Sequence, residues 1–196
     1  MASFAHRLKN ELARNALGKR CCACAELRAF LQLSGKLLLR RNAQGIVLQT
    51  RSAALARRLF SLFKFAFGLS PQIFFSRNKQ LQKNNTYFLR ILGKKEARRI
   101  LSELGFFVFH PRNGRLILKT HLPAASRVGS GGGRCLTQKC CRRAYLAGVF
   151  LAGGSMSSPE AAYHLEIVAP SEAYAGEIID TMAFFDLAAR YFQRKE

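Results

Sequence analysis

CCRRAYLAGVFLAGGSMSSPEAAYHLEI, residues 140–167, decides how the rest of the chain is read. Its first thirteen residues have helical composition, and Ala144, Gly148 and Ala152 recur at i, i+4 and i+8. A row of small residues at that spacing lets one helix approach another backbone closely, so this helix needs a partner. Helix packing therefore accounts for Gly148 and Gly153 better than a ligand loop does. The run YHLEI after the glycines alternates as a strand does.

The partner is found 119 residues earlier. Without gaps, Cys21-Cys22 maps onto Cys140-Cys141, Ala25 onto Ala144, Leu27 onto Leu146, Gly35 onto Gly154, Ser52 onto Ser171 and Ala56 onto Ala175. The earlier copy predicts a helix over 22–34, with Leu27, Phe30, Leu31 and Ser34 on one stripe and Gly35 as a left-handed cap. Ala25 and Ala29 begin its row of small residues. Two β-prone runs follow (36–41 and 46–51), then a helix from an N-cap at Ser52 to about Phe67, closed by Gly68. A second hairpin over 72–77 and 86–92, a helix near 94–104 ended by Gly105, and a short strand pair (106–109, 115–119) complete the first part. Ser3 caps a further helix at the start, where Phe4, Leu8 and Leu12 share one face. Helix, glycine, hairpin and Ser-capped helix thus recur in order, and two such halves would sit about a pseudo-dyad with helices 22–34 and 140–152 in contact.

These residues carry a resemblance. Residues 140–167, together with the opening SFAHRLKNELAR and RCCACAELRAFLQLSG, resemble the WhiA family of bacterial regulators. The resemblance implies an α+β fold like that of LAGLIDADG homing endonucleases, with an αββαββα plan and a saddle-shaped antiparallel sheet in each half. It also implies a helix-turn-helix domain after this one and a role in sporulation, cell division or chromosome segregation in Gram-positive bacteria. The implied partners are duplex DNA, promoter DNA in particular, and other transcription regulators, in a cytoplasmic, nucleoid-associated setting. The expected division is an amino-terminal helix plus first half over 1–122, a glycine-rich linker over 123–134, and a second half over 135–196. Through the offset Glu196 corresponds to Arg77, so the second half is expected to stop within its third strand and leave an edge open to pairing.

The same resemblance locates a catalytic test. A nuclease of this type needs a carboxylate at the end of each motif helix to hold divalent metal beside the scissile phosphates. Alignment of the motif places those positions at Ser34 and Gly153, and neither residue can replace an anionic ligand. No nuclease activity, metal or cofactor is therefore expected; Glu160 and Glu166 lie in the wrong place to substitute.

Charge points toward a polyanion. The chain has 196 residues with 32 Lys and Arg, 11 Asp and Glu, and a formal charge of +21. Residues 1–120 hold 24 of the basic and 4 of the acidic residues, while 121–196 hold 8 and 7. A protein this basic binds nucleic acid or an anionic membrane surface through counterion release, with nucleic acid the commoner partner. A 49% hydrophobic content is too high for a disordered basic tail, and no stretch of about 18 apolar residues marks a membrane span. On the first-half strands Lys36, Arg40, Gln49, Arg51, Arg77 and Arg90 alternate with apolar residues, so one sheet face can be cationic. Phosphate positioning suits the basic residues, and Gln49 is the better candidate for a base edge. An ordinary solvated face explains them equally well. The rival functions are an active homing endonuclease and a basic RNA-binding protein.

The six cysteines form two clusters, Cys21, Cys22, Cys24 and Cys135, Cys140, Cys141, neither with C-x-x-C spacing. Buried reduced thiols are favoured over a composite zinc site or a disulfide joining the clusters. The four histidines lack a plausible catalytic partner in sequence. The run PAASRVGSGGGR at 123–134 lacks the G-K-S/T of a phosphate loop.

Overall fold

The computed structural model describes residues 3–40, 43–77, 85–109, 116–118, 136–158, 160 and 164–193. The expected linker at 123–134 and the turn around 78–84 lie outside them.

Helix α1 (Phe4–Leu12) starts where the Ser3 hydroxyl accepts from the His6 N–H. Helix α2 (Arg20–Ser34) follows, then strands β1 (Gly35–Arg40) and β2 (Ala43–Thr50). Helix α3 (Ala53–Phe67) is capped by the Ser52 hydroxyl and ends at Gly68, which takes a left-handed φ of 68° that a side chain would oppose. Strands β3 (Gln72–Arg77) and β4 (Asn85–Leu92) and helix α4 (Lys94–Glu103) complete the αββαββα run. Gly35 departs from expectation, since its φ of −75° and ψ of 139° are extended. Helix α2 passes directly into β1, so no left-handed cap intervenes.

The strands form one antiparallel sheet in the order β1-β2-β4-β3. Ile46 and Leu48 of β2 and Leu89 and Ile91 of β4 alternate with exposed or half-buried residues and are themselves buried. They meet Leu27, Phe30, Leu59, Leu62, Phe63 and Ile100 from the helices in a single core. A period-2 sheet face against 3.6-period helix stripes is the packing that the hydrophobic pattern requires.

A short hairpin, β5 (Phe107–Phe109) with β6 (Leu116–Leu118), precedes the second half. There, helix α5 (Lys139–Gly153) lies 119 residues after α2 at both ends. Strands β7 (Gly154–Met156) and β8 (Leu165–Ile167) pair Gly154 with Ile167, as β1 and β2 pair Gly35 with Leu48. Helix α6 (Glu172–Ala183) is capped by Ser171, the counterpart of Ser52. The expected third strand is absent over 187–193, which carry no regular structure, and 194–196 lie outside the described residues. Among the described residues, no helix is long and apolar enough to cross a membrane.

Candidate nucleic-acid interface

Helices α2 and α5 pack as a parallel pair. Near their starts the Cys21, Cys22, Cys140 and Cys141 sulfurs cluster. Midway, a Cβ on Gly148 would lie 2.7 Å from the Glu26 carbonyl oxygen and 2.9 Å from the Ala29 Cβ. At the far end, a Cβ on Gly153 would lie 3.1 Å from Leu33 Cδ2. Gly148 is the counterpart of Ala29, so a residue meets its own equivalent, as happens on a two-fold axis. Ala25, Ala29, Tyr145 and Val149 are fully buried in this seam, with Ala144 partly buried beside them. Ala152 joins the first-half core instead.

Buried charges tie other helices to the pair. Arg58 of α3 grips Glu26 of α2 with both its Nε and a terminal nitrogen, the latter at 2.8 Å. Glu177 of α6 is the offset counterpart of Arg58 and also reaches α2. It accepts from Arg28 Nε at 3.0 Å and from Gln32 Nε2 at 3.0 Å, while Arg28 gives another N–H to the Leu104 carbonyl at 2.6 Å. The charged groups are buried and paired with one another, which is the condition under which charge survives inside a core. Beside them the Tyr145 phenol is pushed well above its ordinary range by burial, with the Glu177 charge adding to the effect. Sequence pattern missed both pairs, because charged residues on a helix normally read as solvated. The offset matching Glu177 to Arg58 was the available signal.

The two helix ends where the motif alignment puts catalytic acids are closed. The Ser34 hydroxyl donates to the Phe30 carbonyl at 2.9 Å, within its own helix. A Cβ on Gly153 would sit 2.9 Å from the Val168 carbonyl oxygen, and that carbonyl accepts no side chain without moving. Two of the four first-half acids are engaged elsewhere: Glu26 with Arg58, and Glu103 with Arg20 at 2.6 Å. Glu160 is exposed, and Glu166 lies on β8 across from Ser155.

Opposite the helices, the sheet presents its other face. Register places Lys36 across from Val47, Arg90 across from both Val47 and Gln72, and Gln49 across from Phe88. Lys36, Gln49, Gln72 and Arg90 are exposed, and so is Arg51, just beyond β2 on the same alternation. Position 40 shares the alternation of Lys36, although its side chain lies outside the description. Arg77 falls in the other set, opposite Asn85 and aligned with Ile73 and Phe75, so the sheet does not bring it to the row of Arg90. Phe74 and Phe88 also belong to this face, and the Arg90 guanidinium stands 5.1 Å over the Phe74 ring. The four strands carry no acidic residue.

Two family models match this arrangement half by half: the WhiA N-terminal LAGLIDADG-like domain over residues 20–107 and the WhiA LAGLIDADG-like domain over 142–196. The chain belongs to the WhiA family. A probable cell division protein WhiA of Desulforamulus reducens is 36% identical over 198 residues, covering 98% of this chain and 56% of that protein. Its counterpart in Natranaerobius thermophilus is 35% identical over 194 residues, covering 99% and 56%. The chain thus spans a little over half the length of these WhiA relatives. The fold matches the crystal structure of the N-terminal LAGLIDADG domain of DUF199/WhiA, with TM-score 0.66, 21% identity and coverage of 100% of this chain and 81% of that one. It also matches full-length DUF199/WhiA from Thermatoga maritima, with TM-score 0.62, 22% identity and coverage of 94% and 51%.

Proposed function

We propose that this chain is a non-catalytic DNA-binding module of a WhiA-type transcriptional regulator, acting in cell division, chromosome segregation or sporulation. It binds duplex DNA, promoter DNA in particular, and works in the cytoplasm at the nucleoid alongside other transcription regulators. The observation that carries this reading is the sheet face on which, among the described residues, exposed Lys36, Arg51 and Arg90 surround Gln49 with no acid on any of its four strands. Such a face attracts phosphates over its whole width, and the glutamine offers both a donor and an acceptor to a base edge. The closure of Gly153 against the Val168 carbonyl supports binding without cleavage, since no acid can be placed there to hold metal.

The test is duplex binding by fluorescence anisotropy as salt is raised. Affinity should fall linearly on a log–log scale, and the triple variant Lys36→Ala, Arg51→Ala, Arg90→Ala should flatten the slope by about 0.9 per lost phosphate contact. An unchanged slope would sink the assignment of these residues. Plasmid incubated with Mg²⁺ should stay uncut. A second reading rests on Phe74 and Phe88, which could stack bases of RNA or another single strand. It predicts that RNA outcompetes duplex DNA and that Phe74→Ala abolishes the preference.

A further inference from the structure

The end of the motif-helix pair far from the sheet carries a second site. The sulfurs of Cys21, Cys22, Cys140 and Cys141 lie within 4.8 Å of one another. Each pair occupies the second and third positions of its helix, and the pairs are counterparts through the 119-residue offset. The four sulfurs therefore surround one point on the same pseudo-two-fold axis that passes between Ala29 and Gly148. Cys141 is fully buried, Cys21 and Cys22 are half-buried and Cys140 is exposed, which leaves a path from solvent to the centre. The Gln138 carboxamide oxygen lies 3.3 Å from the Cys140 sulfur and 3.8 Å from that of Cys21, as an outer partner of both pairs.

We propose that these four cysteines bind a single Zn²⁺ as a tetrathiolate site that clamps the two halves at the starts of their motif helices. The dimensions suit one ion. Tetrahedral Zn–S bonds of about 2.3 Å put ligand sulfurs roughly 3.8 Å apart, so the cluster needs only a slight contraction. A multi-iron cluster would have to spread the sulfurs apart. Disulfides between the halves would need an oxidant, whereas a central ion holds all four sulfurs, which are free thiols here, without one.

The surroundings suit the charge of such a site. Four thiolates around Zn²⁺ leave two net negative charges, and both helices present the positive end of their dipole there. Neither first turn holds an acidic residue, and Lys19, Arg20, Lys139, Arg142 and Arg143 flank the pairs. Binding takes up one Zn²⁺ and releases the thiol protons to water; no electrons move. Spacing ranked a composite zinc site below buried thiols because each half supplies adjacent cysteines, without the C-x-x-C spacing of a self-contained half-site. Only the pairing of the helices makes a set of four.

The experiment is an anaerobic titration of the reduced, metal-free 196-residue chain with Co²⁺, followed by Zn²⁺. The expected result is the intense visible spectrum of tetrahedral cobalt tetrathiolate, saturating at one equivalent per chain and bleached by one equivalent of Zn²⁺. Replacing any of the four by serine should weaken Zn²⁺ binding by more than about 100-fold, beyond the roughly 10–100-fold typical of losing an outer-shell partner. Cys24→Ala, on the same helix outside the quartet, should retain the site. A pale octahedral cobalt spectrum, no uptake, or a disulfide between the halves with no metal uptake after reduction would each overturn the proposal. The titration uses the unaltered chain, so its outcome does not depend on any variant folding.

Discussion

Gly148→Ala adds one methyl group at the crossing of α2 and α5, and its consequence follows from three distances. The new Cβ would lie 2.7 Å from the Glu26 carbonyl oxygen, 2.9 Å from the Ala29 Cβ and 3.1 Å from the Glu26 Cα. All three atoms belong to α2 and none is the free end of a flexible side chain. Restoring ordinary contact therefore requires the helices to part by roughly half an ångström along a closely packed seam, which costs about 1–3 kcal/mol. Replacing a mid-helix glycine by alanine returns about 1 kcal/mol through helix propensity, so the net loss should be about 0–2 kcal/mol. Urea unfolding followed by circular dichroism measures it as a lower midpoint at unchanged slope. The counterpart relation sharpens the test. Ala29→Gly alone should also destabilise, yet the swapped pair Ala29→Gly, Gly148→Ala keeps one Cβ in the crossing and should be about 1 kcal/mol more stable than the sum of the single effects. A Gly148→Ala chain more stable than the parent, or single effects that add within about 0.5 kcal/mol, would refute the claim that these two residues share the axis.

Glu177→Ala should cost about 3–5 kcal/mol in the same unfolding assay, because it leaves the buried Arg28 guanidinium without a counter-charge, held by the Leu104 carbonyl and the Phe106 ring; a Glu177→Met, Arg28→Met double variant should recover most of that loss. A loss below about 1 kcal/mol for Glu177→Ala would show that the pair is solvated. Alkaline pH probes the same pocket: the Tyr145 phenol ionises less readily folded than unfolded, so its contribution is intact below the ordinary tyrosine pKa of about 10 and is lost as pH rises beyond it. Ultraviolet absorbance should show one tyrosine titrating only as the chain unfolds, and Tyr145→Phe should remove that late step.

Local structure was the most legible part of the sequence. Ser3, Ser52 and Ser171 cap the helices they precede, and the hairpins fall within a few residues of the β-prone runs, because caps and alternation are written in adjacent residues. The 119-residue offset extended that legibility to the second half, where the structure pairs Gly154 with Ile167 as it pairs Gly35 with Leu48. What failed was information carried between distant segments. Gly35 looks like a left-handed cap until the pull of β2 on β1 is known, and the parity of Arg77 depends on how β3 registers against β4. Gly153 illustrates a third kind: sequence shows that an acid is missing, whereas the 2.9 Å approach to the Val168 carbonyl shows why one cannot simply be restored.

The asymmetry between the halves bears on function as directly as the lost acids do. Cleaving two strands needs two carboxylates at equivalent helix ends and comparable DNA contacts on both sides of the axis. Here the first half has a four-stranded sheet free of acidic residues, whereas the described second half has a two-stranded sheet with Glu166 on β8. The charge divides the same way, with 24 basic against 4 acidic residues over 1–120 and 8 against 7 beyond. A binder is under no such obligation, since counterion release depends on how many phosphates are neutralised and not on symmetry about a scissile bond. The motif-helix pair can then persist for a mechanical reason, holding the cationic sheet at a fixed angle through the seam at Ala29 and Gly148. Substitutions in the seam should accordingly weaken DNA binding in proportion to the stability they remove, while substitutions on the sheet should weaken it with stability intact.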